Sequence, residues 1–486
     1  MSRSIRWLAA CVLMGSVAAH AEPWLAPGDE GLRGDIELLA DAGILRGPVT
    51  TWPMSWPDVA RDVLGAQFEG LDAPTADALI RVQRLARDAG ARGFSGAGLR
   101  VSGSDRPTEL RTFAETPREE GELAVGASWL GDHVALKLAG TAVSSPSDGQ
   151  RFRPDGSWLG VNVGNFMISA GYVERWWGPG WEGSLILSTN ARPIPSLTLE
   201  RNYSDPFKSP WLSWIGPWRA SIALGETESK DVAVPNVKFM AARVNFKPRP
   251  WMEFGLTRTA QFCGGERKCD WSTFWDMLLG RDNQVENGAA SPDQPGNQMA
   301  GYDLRLRSPW RKLPLVAYTQ WIGEDEAGGL PSKFLGQFGM ETWVHVGLGT
   351  LRMRAEYTDT TCSFTRQRPQ FDCGYRNSLY PQGYSYRGRI IGDALDNDSR
   401  MTSVAALLTR PSGETFSLLV RHIDVNRDGG EHALSISPRK INNVELRHSR
   451  EWAWGRLTLG VGYDDDGLGE ESASSARGFL TWQQGF

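Results

Sequence analysis

Residues 122–139 read ELAVGASWLGDHVALKLA, and this stretch decides the fold. Leu123, Val125, Ala127 and Trp129 alternate with Glu122, Ala124, Gly126 and Ser128; after the turn residues Gly131-Asp132, Val134, Leu136 and Leu138 alternate with Ala135, Lys137 and Ala139. A period of two on both sides of a tight turn is a β-hairpin with one apolar face. The pattern recurs downstream, where Tyr302, Leu304 and Leu306 face away from Asp303, Arg305 and Arg307, and Leu351, Met353, Ala355 and Tyr357 from Arg352, Arg354 and Glu356. A water-exposed sandwich also alternates, but buries its apolar face under a second sheet; a transmembrane barrel turns that face to lipid and encloses the charged one.

Connection lengths separate the two. Counted back from the C-terminus, long connections near 465–476, 425–441, 360–399, 323–335 and 262–299 alternate with short ones near 451–455, 410–414, 347–350, 308–313 and 247–250. Long and short connections therefore lie at opposite ends, as in bacterial barrels. The stretch 202–217 is too long for the short-turn end, so a misassigned hairpin is expected there. Leu480, Trp482 and Phe486 share one phase of a terminal strand ending on an aromatic, which resembles the signal read by the barrel-assembly machinery, although Gln484 breaks the phase. No uninterrupted apolar run after the leader approaches the length of a membrane helix, so only a closed barrel can cross.

Composition agrees. With 22% charged and 41% apolar residues, the 486-residue chain is too polar for a helical transporter, while 55 Gly, 21 Trp and 10 Tyr suit a large β protein rich in turns and interfacial aromatics. Arg3 and Arg6, the apolar stretch Trp7–Ala19 and the Ala19-His20-Ala21 site read as a secretory leader over residues 1–21. Leu8-Ala9-Ala10-Cys11 has the look of a lipidation box, but the span from Arg6 to Cys11 is too short for an apolar core. Without the leader, 50 basic residues stand against 57 acidic ones, and no nucleic-acid partner is implied. The four remaining cysteines form two close pairs, expected as Cys263 with Cys269 and Cys362 with Cys373 in an oxidising compartment; free thiols or crossed pairing are the alternatives.

Residues 22–95 have helical periodicity and the strands occupy 96–486. Asp29 caps a segment with Leu32, Ile36, Leu39 and Ala40 on one face; Ser55 and Asp58 form a capping box ahead of Val59, Val63 and Leu64; a third helix spans about 74–89, with Leu79, Val82, Leu85 and Ala86 apolar. Three short helices bury little core alone and are expected to dock on the strands.

The segment Gly171–Arg201, GYVERWWGPGWEGSLILSTNARPIPSLTLER, closely resembles the capsule assembly protein Wzi family. Ala26-Pro27-Gly28-Asp29 with LRGDIELLADAGIL, then Pro48-Val49-Thr50-Thr51-Trp52-Pro53, resembles that family's helical region. The resemblance implies an all-β outer-membrane barrel of 18 strands with a periplasmic helical bundle. Carried back to Leu99, the alternation of connections fits about 18 strands, with both termini periplasmic and the long loops extracellular. Family members act as surface lectins that hold capsular or related exopolysaccharide on the outer membrane, without catalytic chemistry or cofactor. A monomer in outer-membrane lipid is expected.

Aromatic faces stack on sugar C–H surfaces, and amides and guanidinium groups take hydroxyls and uronate charge. The candidates for these roles are Arg175, Trp176, Trp177, Trp181, Asn190 and Arg192 in the motif segment, Trp271 and Trp275 after the first cysteine pair, and Arg366, Arg368, Tyr375, Tyr380, Tyr384 and Tyr386 around the second. Gly178-Pro179-Gly180 among tryptophans equally suits a loop folded into the lumen as a plug, and tryptophans elsewhere anchor at membrane interfaces. Arg305, Arg307, Arg352, Arg354 and Glu356 fit either a conductive lining or an ion-pair network in a plugged barrel, and the helices and long loops favour the plug. The alternative function is a diffusion channel for small anionic or sugar solutes.

Other motifs are weaker. Gly178, Gly180 and Gly183 satisfy G-x-G-x-x-G, but no helix follows and dinucleotide binding is rejected. Asp424, Asn426, Asp428 and Gly429 open like a calcium loop, yet Ser435 stands where a bidentate Glu belongs, so a solvated turn and no metal are expected. Of the histidines, His422 and His448 lie on neighbouring strands near Asp424 and Ser449, read as polar lumen residues; no hydrolase motif is present and an enzyme is not expected.

Overall fold

A computed structural model describes residues 22–485 apart from 266, 268, 279–295, 311–312, 328–329 and 467–474. Residues 1–21, where the leader was expected, and Phe486 lie outside the described residues. Eighteen antiparallel strands form a closed barrel in which sequence neighbours pair in turn and the last strand, Ser475–Gly485, pairs with the first, Gly93–Ser104, from Phe479 opposite Ser104 to Gly485 opposite Gly98. Closure leaves no unpaired sheet edge, the condition for strands in hydrocarbon. A two-residue strand, Phe152–Arg153, adds to Val134–Ser144 at its long-loop end. Leu123, Val125, Leu256, Val404 and Val461 point outward, while Glu122, Arg243, Glu253, Arg305 and Arg352 are buried inside.

Short connections such as 164–165, 250–251, 347–348 and 453–454 lie at one end, and the long ones, 105–120, 172–195 and 360–399 among them, at the other. Two connections depart from expectation. Strands Leu315–Ala327 and Leu330–Val346 run through the supposed loop 323–335 and pair as far as Ala327 with Leu330, so that region is an extended hairpin. Residues 202–217 hide no hairpin. They hold one 3-10 turn, Ser213–Ile215, and dock on the helices, with the Ser204 N–H donating to Asp58 Oδ1 (3.1 Å) and Arg61 paired with Asp205 (3.0 Å).

Helix α1 (Glu30–Asp41) is capped by Asp29, which accepts from the Leu32 N–H at 2.9 Å. In α2 (Trp56–Leu64) Ser55 makes no side-chain cap bond, so the expected capping box is absent, because Asp58 is engaged by Ser204 and Arg61. Helix α3 (Ala73–Ala89) is capped by Asp72 on the Thr75 N–H. Leu39, Val63, Leu79 and Val82 share one buried cluster with Trp52, Phe113, Trp176 and Trp181. Bundle and lumen therefore have a common core, which is how three short helices reach sufficient burial.

Candidate functional site

The lumen is filled from both ends. From the short-turn end, α1 presents Glu30, Glu37 and Asp41 on one face, the second two turns and the third three turns beyond the first. Wall arginines meet them: Arg354 and Arg447 each reach Glu30 at 3.0 Å, Arg305 reaches Asp41 at 2.7 Å, and Arg352 donates to the Gly34 carbonyl at 2.9 Å. Glu341 bridges Arg305 (3.0 Å) and Arg352 (2.6 Å). Buried charges cost several kcal/mol each unless fully paired, so these groups stabilise the barrel only with α1 in place. Of the two readings of the wall charges, the ion-pair network is the one formed by Arg305, Arg352 and Arg354; among the described residues Arg307 is in no ion pair, and Glu356 is held by hydrogen bonds from the Trp181 N–H and the Tyr318 hydroxyl.

From the long-loop end, residues 172–195 descend into the barrel. Trp176 and Trp177 pair as a short β-bridge with Trp52 and Thr51 of the N-terminal region. Arg33 of α1 donates to the Pro179 (2.6 Å) and Gly180 (2.8 Å) carbonyls and lies over the Phe113 and Trp181 rings. The Trp181 N–H donates to wall Glu356 at 2.8 Å, and the Leu185 N–H to wall Gln320 at 2.8 Å. The motif glycines have a common cause: a Cβ would strike Gln320 at Gly178, Gln337 at Gly180 and Asp393 at Gly183. Close backbone approach, not phosphate binding, explains the G-x-G-x-x-G spacing.

The 360–399 loop lies on the motif segment, closed by the Cys362–Cys373 disulfide; the second disulfide joins Cys263 and Cys269. Its tyrosines hold carbonyls: Tyr375 OH donates to Leu185 O (2.7 Å), Tyr384 OH to Ile186 O (2.8 Å) and Tyr380 OH to Cys263 O (3.0 Å). Burial pushes the Tyr380 phenol up to about 12 and that of Tyr375 well above its ordinary range, keeping both as donors. Asp393, against Gly183, is raised to about 6 by burial, with a contribution from Glu182.

The candidate sugar contacts therefore divide. Trp176, Trp177, Trp181, Tyr375, Tyr380, Tyr384 and Tyr386 are buried, and the polar motif residues have internal partners: Arg175 on Thr198 (2.6 Å), Asn190 on the Ile390 carbonyl (2.9 Å), Arg192 on Asp155 (2.7 Å) and Asp148 (2.5 Å). Trp271 and Trp275 are 78% and 52% exposed on helix α4 (Trp271–Leu278). Trp271 lines a groove of about 760 Å³ with outward-facing Leu197 and Leu224, on the lipid side of the wall. Arg366 and Arg368 are exposed between the two cysteines of the 360–399 loop.

Sequence reasoning missed the 105–120 connection. Arg111 and Arg118 donate to the Thr189, Asn190 and Ala191 carbonyls and fix the far limb of the motif segment. Beside it the lumen keeps a cavity of about 380 Å³ lined by Arg100, Arg111, Glu115, Glu122 and Lys137. His422 and His448 are not lumen residues: both share the outward phase of Val420 and Leu446, and His422 pairs across strands with Asn442 while His448 pairs with Phe416, six positions apart. They form no common site.

The description "Capsule assembly protein Wzi" belongs to the family model that matches residues 91–465. A Klebsiella pneumoniae protein described as an uncharacterized 55.8 kDa protein in the cps region is 31% identical over 332 residues, covering 67% of this chain. The match spans 63% of that relative's length. The solved structure of Wzi from Escherichia coli, described as an outer membrane protein involved in group 1 capsule assembly and a carbohydrate-binding β-barrel, is similar with a TM-score of 0.83 and 25% identity, over 95% of this chain and 99% of that one.

Proposed function

The chain belongs to the capsule assembly protein Wzi family, and from that premise we propose that it is a non-enzymatic outer-membrane lectin that attaches capsular or exopolysaccharide to the cell surface. In this reading the helical region faces the periplasm, the long loops face the exterior, and the chain sits as a monomer in outer-membrane lipid after delivery by the barrel-assembly machinery. The observation that carries it is the double filling of the lumen, joined where Arg33 holds Pro179 and Gly180 and where Trp176 pairs with Trp52. A lining whose charges neutralise each other around a core of tryptophans offers little path to a solute, which leaves the long-loop surface for a ligand. There Arg366 and Arg368 present exposed guanidinium groups, in no ion pair among the described residues, suited to uronate or other acidic sugars.

The test is binding of the detergent-purified protein to surface polysaccharide from its own source organism, beside a variant lacking residues 360–399 and an Arg366→Ala/Arg368→Ala variant, with planar-bilayer conductance in parallel. Saturable binding weakened in both variants, with little conductance in the intact protein, is expected. Absent binding with steady conductance would replace the lectin by the channel.

A further inference from the structure

The calcium-like run at 424–429 does not form a calcium loop of its own, and the reason points to a different site. Asp424 is taken by Arg400 (2.5 Å), and Asn426 is used inside its loop, accepting from the Gly429 N–H and donating to the Gly430 and Ser435 carbonyls. Asp428 alone faces outward from this set, toward the neighbouring 360–399 loop. There it meets Asp372 and Asp398, and carboxylate oxygens of the three residues all lie within 4.8 Å of one another. A calcium ion takes oxygens at about 2.3–2.6 Å, so opposed ligands stand about 5 Å apart. The spacing matches.

Asp398 is the independent indication. It is fully buried; its Oδ2 accepts from the Asp372 N–H (2.7 Å) and the Asn397 amide (2.9 Å), while Oδ1 has no hydrogen-bond partner. A buried carboxylate oxygen without a partner is costly unless something cationic meets it. The nearby guanidinium groups are engaged elsewhere: Arg427 with Asp359 and Arg376 with Asp396. Among the described residues none of Asp372, Asp398 and Asp428 is in an ion pair. Gly430 completes the cradle, since a Cβ there would strike the Asp372 and Asp428 carboxylates. Asp372 and Asp428 are exposed, which leaves the remaining coordination positions to water.

We propose that Asp372, Asp398 and Asp428 bind a calcium ion that ties the disulfide-closed 360–399 loop to the 426–438 loop. The two aspartates from the first loop supply the charge that Ser435 cannot. Three hard oxygen donors from two loops of irregular geometry suit calcium better than magnesium, which demands a near-ideal octahedron. The site stands apart from the lectin reading and holds whether or not the loops bind sugar.

The experiment is calorimetric titration of CaCl2 into the EDTA-treated, detergent-purified full chain, with Asp398→Asn and Asp428→Asn variants and MgCl2 in parallel. Amide exchange at Asp372 and Arg427 is followed in each, because those N–H groups donate to Asp398 and report the loop junction. One saturable calcium site, at least tenfold weaker in both variants and weaker for magnesium, with calcium slowing exchange at both amides, is expected. Asp428 is exposed, so its variant keeps the fold and the test does not depend on the buried substitution. Lipid phosphates carried with the protein also take up calcium, but that uptake survives both substitutions; equal affinity in wild type and variants, or no saturable binding, overturns the proposal.

Discussion

Removing the Arg33 side chain tests whether the two halves of the lumen filling depend on one another. Arg33→Ala deletes two charge-assisted bonds to the Pro179 and Gly180 carbonyls, the Glu37 ion pair at 2.9 Å, and the guanidinium stacked 4.5 Å from Phe113 and 4.3 Å from Trp181. The Pro179 carbonyl and part of the Glu37 charge lose their partner, while the Gly180 carbonyl keeps the Trp176 indole N–H at 3.0 Å. Added singly, these terms exceed what any one substitution costs, because the groups share one environment. Loss of one member of a buried ion pair costs about 3–5 kcal/mol, and this figure governs. The barrel wall keeps its strand pairing, so the loss appears as local opening. Amides of Phe113, bonded to Trp181 O, and of Trp181 and Glu182, bonded to Glu356, should exchange faster by about two to nearly four orders of magnitude. Bilayer conductance should rise with them. Arg33→Lys keeps the charge but not the fork that spans both carbonyls, and should fall between. Unchanged exchange at these amides, with the variant folded, would refute the claim that α1 and the motif segment form one unit.

Three further outcomes follow from the same geometry. Gly183→Ala forces a Cβ into Asp393 and should cost about 1–3 kcal/mol of stability by thermal melting, whereas Gly347→Ala, where a Cβ meets nothing within 4 Å, should leave the midpoint unchanged. Asp393 titrates near 6 in the folded protein against 3.8 unfolded, so the folded state holds its proton more tightly between these values. Its contribution is present below pH 4 and lost as pH rises toward 6, by on the order of 3 kcal/mol, and melting midpoints of Asp393→Asn should fall less steeply than those of the wild type across that window. Arg366→Ala/Arg368→Ala should weaken binding of an acidic polysaccharide by about 1–2 kcal/mol and lessen its salt dependence, with melting unaltered; unchanged affinity would move the sugar site off this loop.

The strands were legible because lipid enforces an apolar outer face, so the period-two pattern is strongest where the wall crosses hydrocarbon. Beyond it the constraint lapses. The sequence around Glu324-Asp325-Glu326 reads as a loop, yet its backbone continues the hairpin. The 202–217 connection was conspicuous by length, but its role depends on Ser204 meeting Asp58 and Asp205 meeting Arg61 on the bundle, which no local pattern announces. The cysteine pairs were readable because each closes a short loop. The motif tryptophans were ambiguous for a physical reason: one side chain serves sugar stacking, interfacial anchoring and core packing alike. What decides among these for Trp176, Trp177 and Trp181 is the close contact at Gly178 and Gly180 with wall residues Gln320 and Gln337 and at Gly183 with Asp393 of the 360–399 loop, all far along the chain.

The distribution of charge bears on how such a protein would hold a long polymer. Had the wall arginines faced an open lumen, an acidic chain would be drawn inside; with Glu30, Glu37 and Asp41 of α1 and Glu341 beside them, that attraction is cancelled within the barrel. Recognition on the proposed reading is confined to loops braced from below by tyrosine bonds to the motif segment and closed by a disulfide. A braced loop loses less conformational freedom on binding than a free one, so few contacts suffice for a weak site. A polysaccharide repeats its unit many times, and many copies of the protein share one membrane, so weak sites acting together raise the effective affinity by orders of magnitude. On that reading two exposed arginines on a braced loop are enough for attachment, and a deep sugar pocket is not required.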